Sequence, residues 1–75
     1  MRNLDEKKFL KTLGQRINRI RKDQKISFQE LSFRTDIDKG NLVKLTTQGS
    51  NITMCTLLKI ASGLNVPVSD FFIPE

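Results

Sequence analysis

The chain has 75 residues, with 13 Lys and Arg against 8 Asp and Glu, a single cysteine, and no histidine, tryptophan or tyrosine. A chain of this length forms at most one domain, whose core contributes roughly a few kcal/mol of net stability, so a dimer partner would be a natural supplement. One cysteine cannot form an intramolecular disulfide, and without histidine neither a zinc finger nor a histidine-based catalytic pair can be built. We therefore expect no metal, no cofactor and no enzymatic activity.

The apolar runs of the chain are short, and the amino end becomes polar at once in Met1-Arg2-Asn3-Leu4-Asp5. This start does not resemble a signal peptide, and no run is long enough to span a membrane. We expect a protein of the cytoplasm with no membrane association.

The net charge of +5 suggests an anionic partner, but the charge is unevenly distributed. Residues 1–25 hold nine basic and three acidic side chains, residues 26–49 three of each, and residues 50–75 one against two. The excess therefore belongs to the first third of the chain. Two explanations remain open at this point: a solvated helix face with cations in its last turns, or a surface that attracts phosphate.

The first periodic stretch predicts an amphipathic helix from about Leu4 to Gln24. Its apolar face carries Leu10, Leu13, Ile17 and Ile20. Asn3 with Glu6 three residues later would cap its start. Gly14 in mid-helix costs about 1 kcal/mol relative to alanine, so its presence suggests close packing by a neighbouring element.

One pattern then recurs: a branched apolar residue, a Ser, Thr or Asp, and a second apolar residue four positions beyond that polar one. Each instance matches a helix start with a capping oxygen and a hydrophobic staple. The predicted helices span about 28–35, 39–46, 54–64 and 70–73, and no run alternates long enough for a strand. The instances are Ile26-Ser27 with Leu31, Ile37-Asp38 with Leu42, Ile52-Thr53 with Leu57, and Val68-Ser69 with Ile73.

The segment from Ile26 to Leu45 carries a resemblance. Ile26-Ser27-Phe28-Gln29-Glu30-Leu31-Ser32, followed by Asp36-Ile37-Asp38-Lys39-Gly40-Asn41-Leu42-Val43-Lys44-Leu45, resembles the helix-turn-helix of the lambda-repressor-like (xenobiotic-response-element) DNA-binding family. Phe33-Arg34, Asp38-Lys39 and Asn51-Ile52-Thr53 resemble details of restriction–modification controller proteins. The resemblance implies a compact all-α fold of five helices, with the helix-turn-helix at about 27–46 and a dimerisation segment at about 65–75.

The third predicted helix carries the candidate contacts to DNA bases. If Leu42 and Leu45 face the core, the helical period turns a set of neighbours outward, at the end that a helix-turn-helix presents to base edges. Lysine can donate to guanine, asparagine can bind adenine bidentately, and valine offers a contact to the thymine methyl. The predicted base-contacting residues are Lys39, Gly40, Asn41, Val43 and Lys44.

The candidate phosphate contacts follow from the resemblance. They lie at the start of the second helix, near the end of the first, and in the loop after the third. Backbone N–H groups at a helix start favour an anion for hydrogen-bonding and dipole reasons alike. The predicted phosphate-contacting residues are Arg21, Ser27, Gln29, Thr47, Gln48, Ser50 and Asn51.

The chain departs from the family pattern at several positions. Phe28 replaces a glutamine that reaches a phosphate, and we expect it to pack. Thr46 replaces a glutamate that often pairs with the arginine matching Arg21, so we expect Arg21 to lack that internal partner and to be free for DNA or solvated. Asp36 replaces a glycine, tolerably, because Asp visits the left-handed region. Phe33 stands at a usually polar position; it either fills volume beside Thr35, which replaces a leucine, or forms an interface.

The carboxyl-terminal aromatics suggest self-association. One phenylalanine should close the core, and the other, with Ile73, would suit a two-fold interface. The candidate interface residues are Phe71, Phe72 and Ile73. The expected function is a homodimeric transcriptional regulator on a palindromic site in double-stranded DNA. The alternative is a protein-interaction module such as an antitoxin, which would use Phe33 or the carboxyl-terminal aromatics. The sequence does not determine the operator, the sign of regulation, any effector or the dimer affinity.

Overall fold

The computed structural model describes residues 3–73, with side chains from residue 5 onward. Four α-helices follow one another: α1 (Asn3–Asp23), α2 (Phe28–Thr35), α3 (Lys39–Thr47) and α4 (Met54–Leu64). A single 3₁₀ helix, Val68–Phe72, closes the described chain. Residues 3–73 contain no strand, so the all-α prediction is confirmed. The count of five helices is wrong, because the last element is one short 3₁₀ segment.

The predicted capping residues explain three of the four helix starts. The side chains of Ser27, Asp38 and Thr53 each accept a hydrogen bond from the backbone N–H three residues further on. The expectation at Ser69 is wrong: the last helix was predicted from residue 70, whereas the 3₁₀ helix begins two residues earlier, at Val68 after Pro67, and has no side-chain cap. The predicted cap at Asn3 lies on a side chain outside the described residues.

The core draws on every element. Helix α1 packs mainly against α3, while α2 packs against both α3 and α4, and the 3₁₀ helix lies against α1 and α4. Branched aliphatic side chains and one phenylalanine form a continuous buried cluster, which includes Leu13, Ile17, Leu31, Leu42, Ile60, Leu64 and Phe71. This arrangement holds the turn between α2 and α3 on a rigid base.

Gly14 lies where α1 crosses α3, as its position in mid-helix predicted. A Cβ placed on Gly14 would come within 2.5 Å of the Leu45 carbonyl oxygen and 2.9 Å of the Thr46 Cα. No side chain fits at this distance, so glycine lets the two backbones touch. The close contact fixes how far α3 stands from the rest of the molecule.

None of the helices in residues 3–73 combines the length and the apolar character needed to cross a membrane. The longest, α1, carries charged residues throughout its 21 residues.

Candidate nucleic-acid interface

The turn between α2 and α3 is held by hydrogen bonds of its own residues. Asp36 adopts the left-handed conformation with φ of 59°, and its N–H donates to the Ser32 carbonyl at 2.8 Å. The Ser32 hydroxyl donates to the Ile37 carbonyl at 2.6 Å, and the Ile37 N–H donates to the Thr35 hydroxyl at 3.3 Å. The expectation that aspartate replaces glycine here without loss of the turn is confirmed. The direction in which α3 leaves the turn is therefore defined.

Helix α3 divides into a buried and an exposed face. Leu42, Leu45 and Thr46 are buried, and the Thr46 hydroxyl donates back to the Leu42 carbonyl at 2.9 Å. Thr46 is neutral and bonds within its own helix, so it does not replace the charge of the family's glutamate. The predicted base-contacting residues lie on the other face: Lys39, Gly40, Asn41 and Lys44 are exposed, and Val43 is half-buried.

The exposed face of α3 presents groups of different chemistry. Lys39 and Lys44 offer ammonium donors, and the Asn41 side chain offers both a donor and an acceptor. Val43 leaves part of an apolar side chain accessible. At Gly40 the nearest atom to an added Cβ is a carboxylate oxygen of Asp38, at 3.1 Å. Gly40 therefore leaves a position without a side chain between Lys39 and Asn41.

The start of α2 provides one candidate phosphate site. Ser27 is exposed, and its Oγ accepts the Glu30 N–H at 3.0 Å. An accepting hydroxyl retains its own hydrogen, which can be donated to an anion. Gln29, the second residue of the helix, is exposed and lines the same shallow depression. The two predicted residues are thus brought together at a helix amino terminus, where N–H groups point outward.

The loop between α3 and α4 provides a second candidate phosphate site. Gly49, with φ of 66°, packs against the backbone of Lys11 in α1. This contact anchors the loop while Gln48 and Asn51 remain exposed and Ser50 half-buried. Ser50 and Asn51 line one groove together with Asn41.

Thr47 differs from the other predicted loop residues, because its hydroxyl donates to the Val43 carbonyl at 2.6 Å. The single hydroxyl hydrogen of Thr47 therefore points into the helix.

Arg21 is buried, whereas its predicted contact with phosphate required an exposed side chain. Its side chain is only 9% exposed. Its guanidinium donates to the Ile26 carbonyl at 2.6 Å and twice to the Asn18 side chain, at 2.8 and 3.0 Å, and lies 3.9 Å from the Phe28 ring centroid. Burial lowers the pKa of Arg21 from its ordinary value. The expectation that Arg21 is free for DNA or solvated is therefore wrong, because three neighbours, Asn18, Ile26 and Phe28, hold its guanidinium.

The phenylalanines of α2 have different environments. Phe28 packs against the core, as predicted, and the Arg21 guanidinium lies over its ring. Phe33 is 86% exposed, so the interpretation that it fills volume beside Thr35 is wrong. Thr35 is itself buried, and α4 approaches it closely at Gly63, where an added Cβ would lie 2.7 Å from the threonine methyl. Helix α4 therefore occupies the space beside Thr35, and Phe33 remains exposed.

The three residues predicted for the dimer interface also differ in exposure. Phe71 is fully buried, so its assignment to an interface is wrong; it is the phenylalanine that closes the core. Phe72 and Ile73 are exposed by 40% and 55%. Sequence reasoning missed Phe9, whose ring stacks on Phe72 with centroids 6.4 Å apart while remaining 44% exposed. Its position four residues before Leu13, at the edge of the apolar stripe of α1, was the available signal.

Comparison with known proteins identifies the arrangement. Residues 16–75 match the model of the Cro/C1-type HTH DNA-binding domain. The chain belongs to this family. It is therefore a Cro/C1-type helix-turn-helix domain in which α2 and α3 form the motif, in agreement with the resemblance seen in the sequence.

This Cro/C1-type domain is also similar to two known proteins. It is 36% identical over 62 residues to the HTH-type transcriptional regulator SutR of Escherichia coli (strain K12), covering 83% of the chain. The chain spans about a third of that relative's length, 35%. The fold matches the crystal structure of the restriction-modification controller protein C.AhdI from Aeromonas hydrophila with a TM-score of 0.81, covering 84% of this chain and 96% of the other at 24% identity.

Proposed function

We propose that the protein is a sequence-specific transcriptional regulator that binds a palindromic operator as a homodimer, with α3 of each protomer in the major groove. One observation carries this proposal: the exposed face of α3 presents Lys39, Asn41 and Lys44 beside a half-buried Val43, on a helix whose opposite face is locked into the core. Donor, amide and apolar groups on one rigid helix are the components of direct base recognition.

Backbone contacts would set the register of α3 on the duplex. In this proposal Ser27 and Gln29 bind phosphate on one side of the helix-turn-helix, and Gln48, Ser50 and Asn51 on the other. Thr47 is the weakest of the predicted ligands, because its hydroxyl hydrogen is held by the Val43 carbonyl. Phosphate contacts of this kind position the protein without reading the sequence.

The proposed dimer interface is centred on Phe72 and Ile73 and includes Phe9. The three side chains remain exposed at one end of the molecule, where the 3₁₀ helix lies against α1. A two-fold interface needs such a self-complementary apolar patch, and it would place two recognition helices about 34 Å apart, one turn of DNA.

In vitro selection from a random DNA library tests the function directly. We expect the recovered sites to be palindromes with half-site centres about 10 base pairs apart. Asn41→Ala and Lys44→Ala should each weaken binding to the selected site by about 1–3 kcal/mol and relax the preference at one base position. Lys59→Ala, which removes an exposed lysine of α4 outside the proposed site, is the matched control. Selection that recovers no consensus from the library would refute the proposal.

Sedimentation equilibrium over a range of concentrations tests the dimer. Phe72→Ser and Ile73→Ser should each weaken self-association, whereas Phe33→Ser should leave it unchanged. A wild-type chain that stays monomeric at every concentration, with or without its selected DNA, would refute the proposed dimer.

A second function is favoured by one observation, the 86% exposure of Phe33 on a helix-turn-helix scaffold. Aromatic side chains are enriched at protein–protein interfaces, so Phe33 suits a contact with another protein, as in an antitoxin that neutralises its partner. Purification that returns one stoichiometric protein, which is lost with Phe33→Ser, together with no salt-dependent DNA binding, would support this function over the first.

A further inference from the structure

We propose that Arg21 is a positioning residue for phosphate binding at the start of α2. It contacts the residues on both sides of Ser27, at the Ile26 carbonyl and the Phe28 ring, and does not itself bind phosphate. The proposal rests on the proposed function, since Ser27 and Gln29 are the phosphate ligands that Arg21 would hold in place.

The first part of the argument is a reciprocal pair of hydrogen bonds between Arg21 and Ile26. The Ile26 N–H donates to the Arg21 carbonyl at 3.1 Å, and the Arg21 Nη1 donates to the Ile26 carbonyl at 2.6 Å. The Ile26 carbonyl belongs to the peptide group that leads into Ser27, the cap of α2. The side chain of Arg21 therefore fixes the plane of that peptide.

The second part is the stack on Phe28, the first residue of α2. The guanidinium carbon lies 3.9 Å from the ring centroid, so the ring covers one face of the cation. The Asn18 side-chain oxygen accepts from Nε and Nη2. Arg21 thus contacts the residue before Ser27 and the residue after it, and three of its five guanidinium N–H groups are bonded within the protein.

The third part is the strain in the connection that Arg21 spans. Lys25 has φ of 58°, which is unfavourable for a residue with a side chain. Its N–H donates to the Lys22 carbonyl at 2.9 Å, and the neighbouring Gln24 side chain donates to the Leu64 carbonyl at 2.7 Å. These bonds hold the turn itself, and the Arg21 side chain joins it to the start of α2 through the Ile26 carbonyl and the Phe28 ring. A change at Arg21 should therefore shift Ser27 and Gln29 relative to α3.

Arginine is required by this role, and lysine cannot substitute for it. The planar guanidinium bonds Ile26 and Asn18 along its edge while stacking on Phe28, and an ammonium has neither the fork nor the flat face. A phosphate ligand would behave differently, because lysine also binds phosphate as a point charge. The two roles are thereby separable by one conservative substitution.

The test measures DNA affinity against salt concentration for the wild-type chain, Arg21→Lys, Arg21→Met, Phe28→Leu and the double variant Arg21→Met/Phe28→Leu. Two probes are used: a duplex recovered by selection on the wild-type protein, and a duplex of random sequence and equal length. Lys22→Met, which removes an exposed cation from the same turn, is the control for charge alone. Circular dichroism identifies a temperature at which each variant used is folded; if Arg21→Met is unfolded, the lysine and leucine variants carry the test.

We expect Arg21→Lys, Arg21→Met and Phe28→Leu each to weaken binding to both duplexes by about tenfold with an unchanged salt slope. The double variant should bind no more weakly than Arg21→Met, since both changes release the same segment.

The proposal is overturned if Arg21→Lys binds as the wild type does while Arg21→Met loses about one unit of salt slope, because that is the behaviour of a phosphate ligand. It is also overturned if all variants match the wild type. A wild-type chain without salt-dependent DNA binding would overturn the proposed function and this inference together, whereas the other two results leave the function intact.

Discussion

The contact between α1 and α3 at Gly14 predicts a specific cost for a single added methyl group. In Gly14→Ala the new Cβ would lie 2.5 Å from the Leu45 carbonyl oxygen and 2.9 and 3.1 Å from the Cα and carbonyl carbon of Thr46. All three are backbone atoms of α3, so no side-chain rotation relieves the contact. The two helices must separate, or α3 must shift along α1.

Two opposing terms set the magnitude of the effect at Gly14. Alanine stabilises a helix interior by about 1 kcal/mol relative to glycine. Forcing a methyl group into a closely packed contact costs about 1–3 kcal/mol, and backbone neighbours favour the upper part of that range. The net change for Gly14→Ala should therefore be a loss of about 0–2 kcal/mol in the free energy of unfolding.

Two other helical glycines provide the reference for this prediction. At Gly40 the nearest atom to an added Cβ is the flexible carboxylate of Asp38 at 3.1 Å, so Gly40→Ala should gain up to about 1 kcal/mol. At Gly63 an added Cβ meets two side chains, the Thr35 methyl at 2.7 Å and Leu31 Cδ1 at 3.2 Å. Because these can move by a few tenths of an ångström, Gly63→Ala should fall between the other two.

Urea denaturation followed by circular dichroism, at one protein concentration for all variants, measures the differences. The order of stability should be Gly40→Ala, Gly63→Ala, Gly14→Ala, with about 1–3 kcal/mol between the first and last. A Gly14→Ala protein as stable as Gly40→Ala would show that the helices separate freely and that Gly14 does not set the position of α3.

Three further predictions follow from single contacts. Ser27→Asp keeps a capping oxygen, so its free energy of unfolding should stay within about 0.5 kcal/mol of the wild type, whereas Ser27→Ala should lose about 1 kcal/mol. Because aspartate repels phosphate, Ser27→Asp should weaken binding to every DNA duplex. Equal DNA affinity for Ser27→Asp and the wild type would argue against phosphate at this helix start. Phe71→Ala should lower the free energy of unfolding by about 3–5 kcal/mol, as for a buried core phenylalanine, and Phe72→Ala by less than half as much; similar losses in the two variants would contradict their different burial. Asp36→Asn should be within about 0.5 kcal/mol of the wild type, while Asp36→Val should cost about 1–2 kcal/mol because of the left-handed backbone; chemical denaturation separates the two outcomes.

The parts of the fold that could be predicted from sequence are those with local causes. Ser27, Asp38 and Thr53 each start a helix through a hydrogen bond to a backbone N–H three residues away, so the signal and its effect lie in one short segment. The same pattern failed at Ser69. There the 3₁₀ helix begins at Val68, two residues before the predicted start, so Ser69 lies inside the helix and does not cap it; the Pro67 carbonyl accepts from the Asp70 N–H.

The exposed face of α3 was predictable for a similar reason. Once Leu42 and Leu45 are assigned to the core, the helical period determines which neighbours point outward. By contrast, the environments of Phe9 and Phe33 depend on contacts across the molecule. Phe9 meets Phe72 at the far end of the chain, and Phe33 is exposed because the approach of Gly63 closes the space at Thr35. No pattern within a single helix records either event.

The departures from the family pattern at positions 28 and 46 illustrate this limit most clearly. Taken one at a time, each is a loss: Thr46 removes the acidic partner of Arg21, and Phe28 removes a side chain that would reach phosphate. In the folded chain the two changes are linked through Arg21, which turns to the Phe28 ring and the Ile26 carbonyl while Thr46 bonds within its own helix. A stacked and hydrogen-bonded guanidinium needs no carboxylate to be satisfied. The combination therefore exchanges one internal bond and one candidate DNA contact for a contact of Arg21 with both residues that flank Ser27. Under the proposed function, Ser27 and Gln29 would then bind phosphate at this helix start.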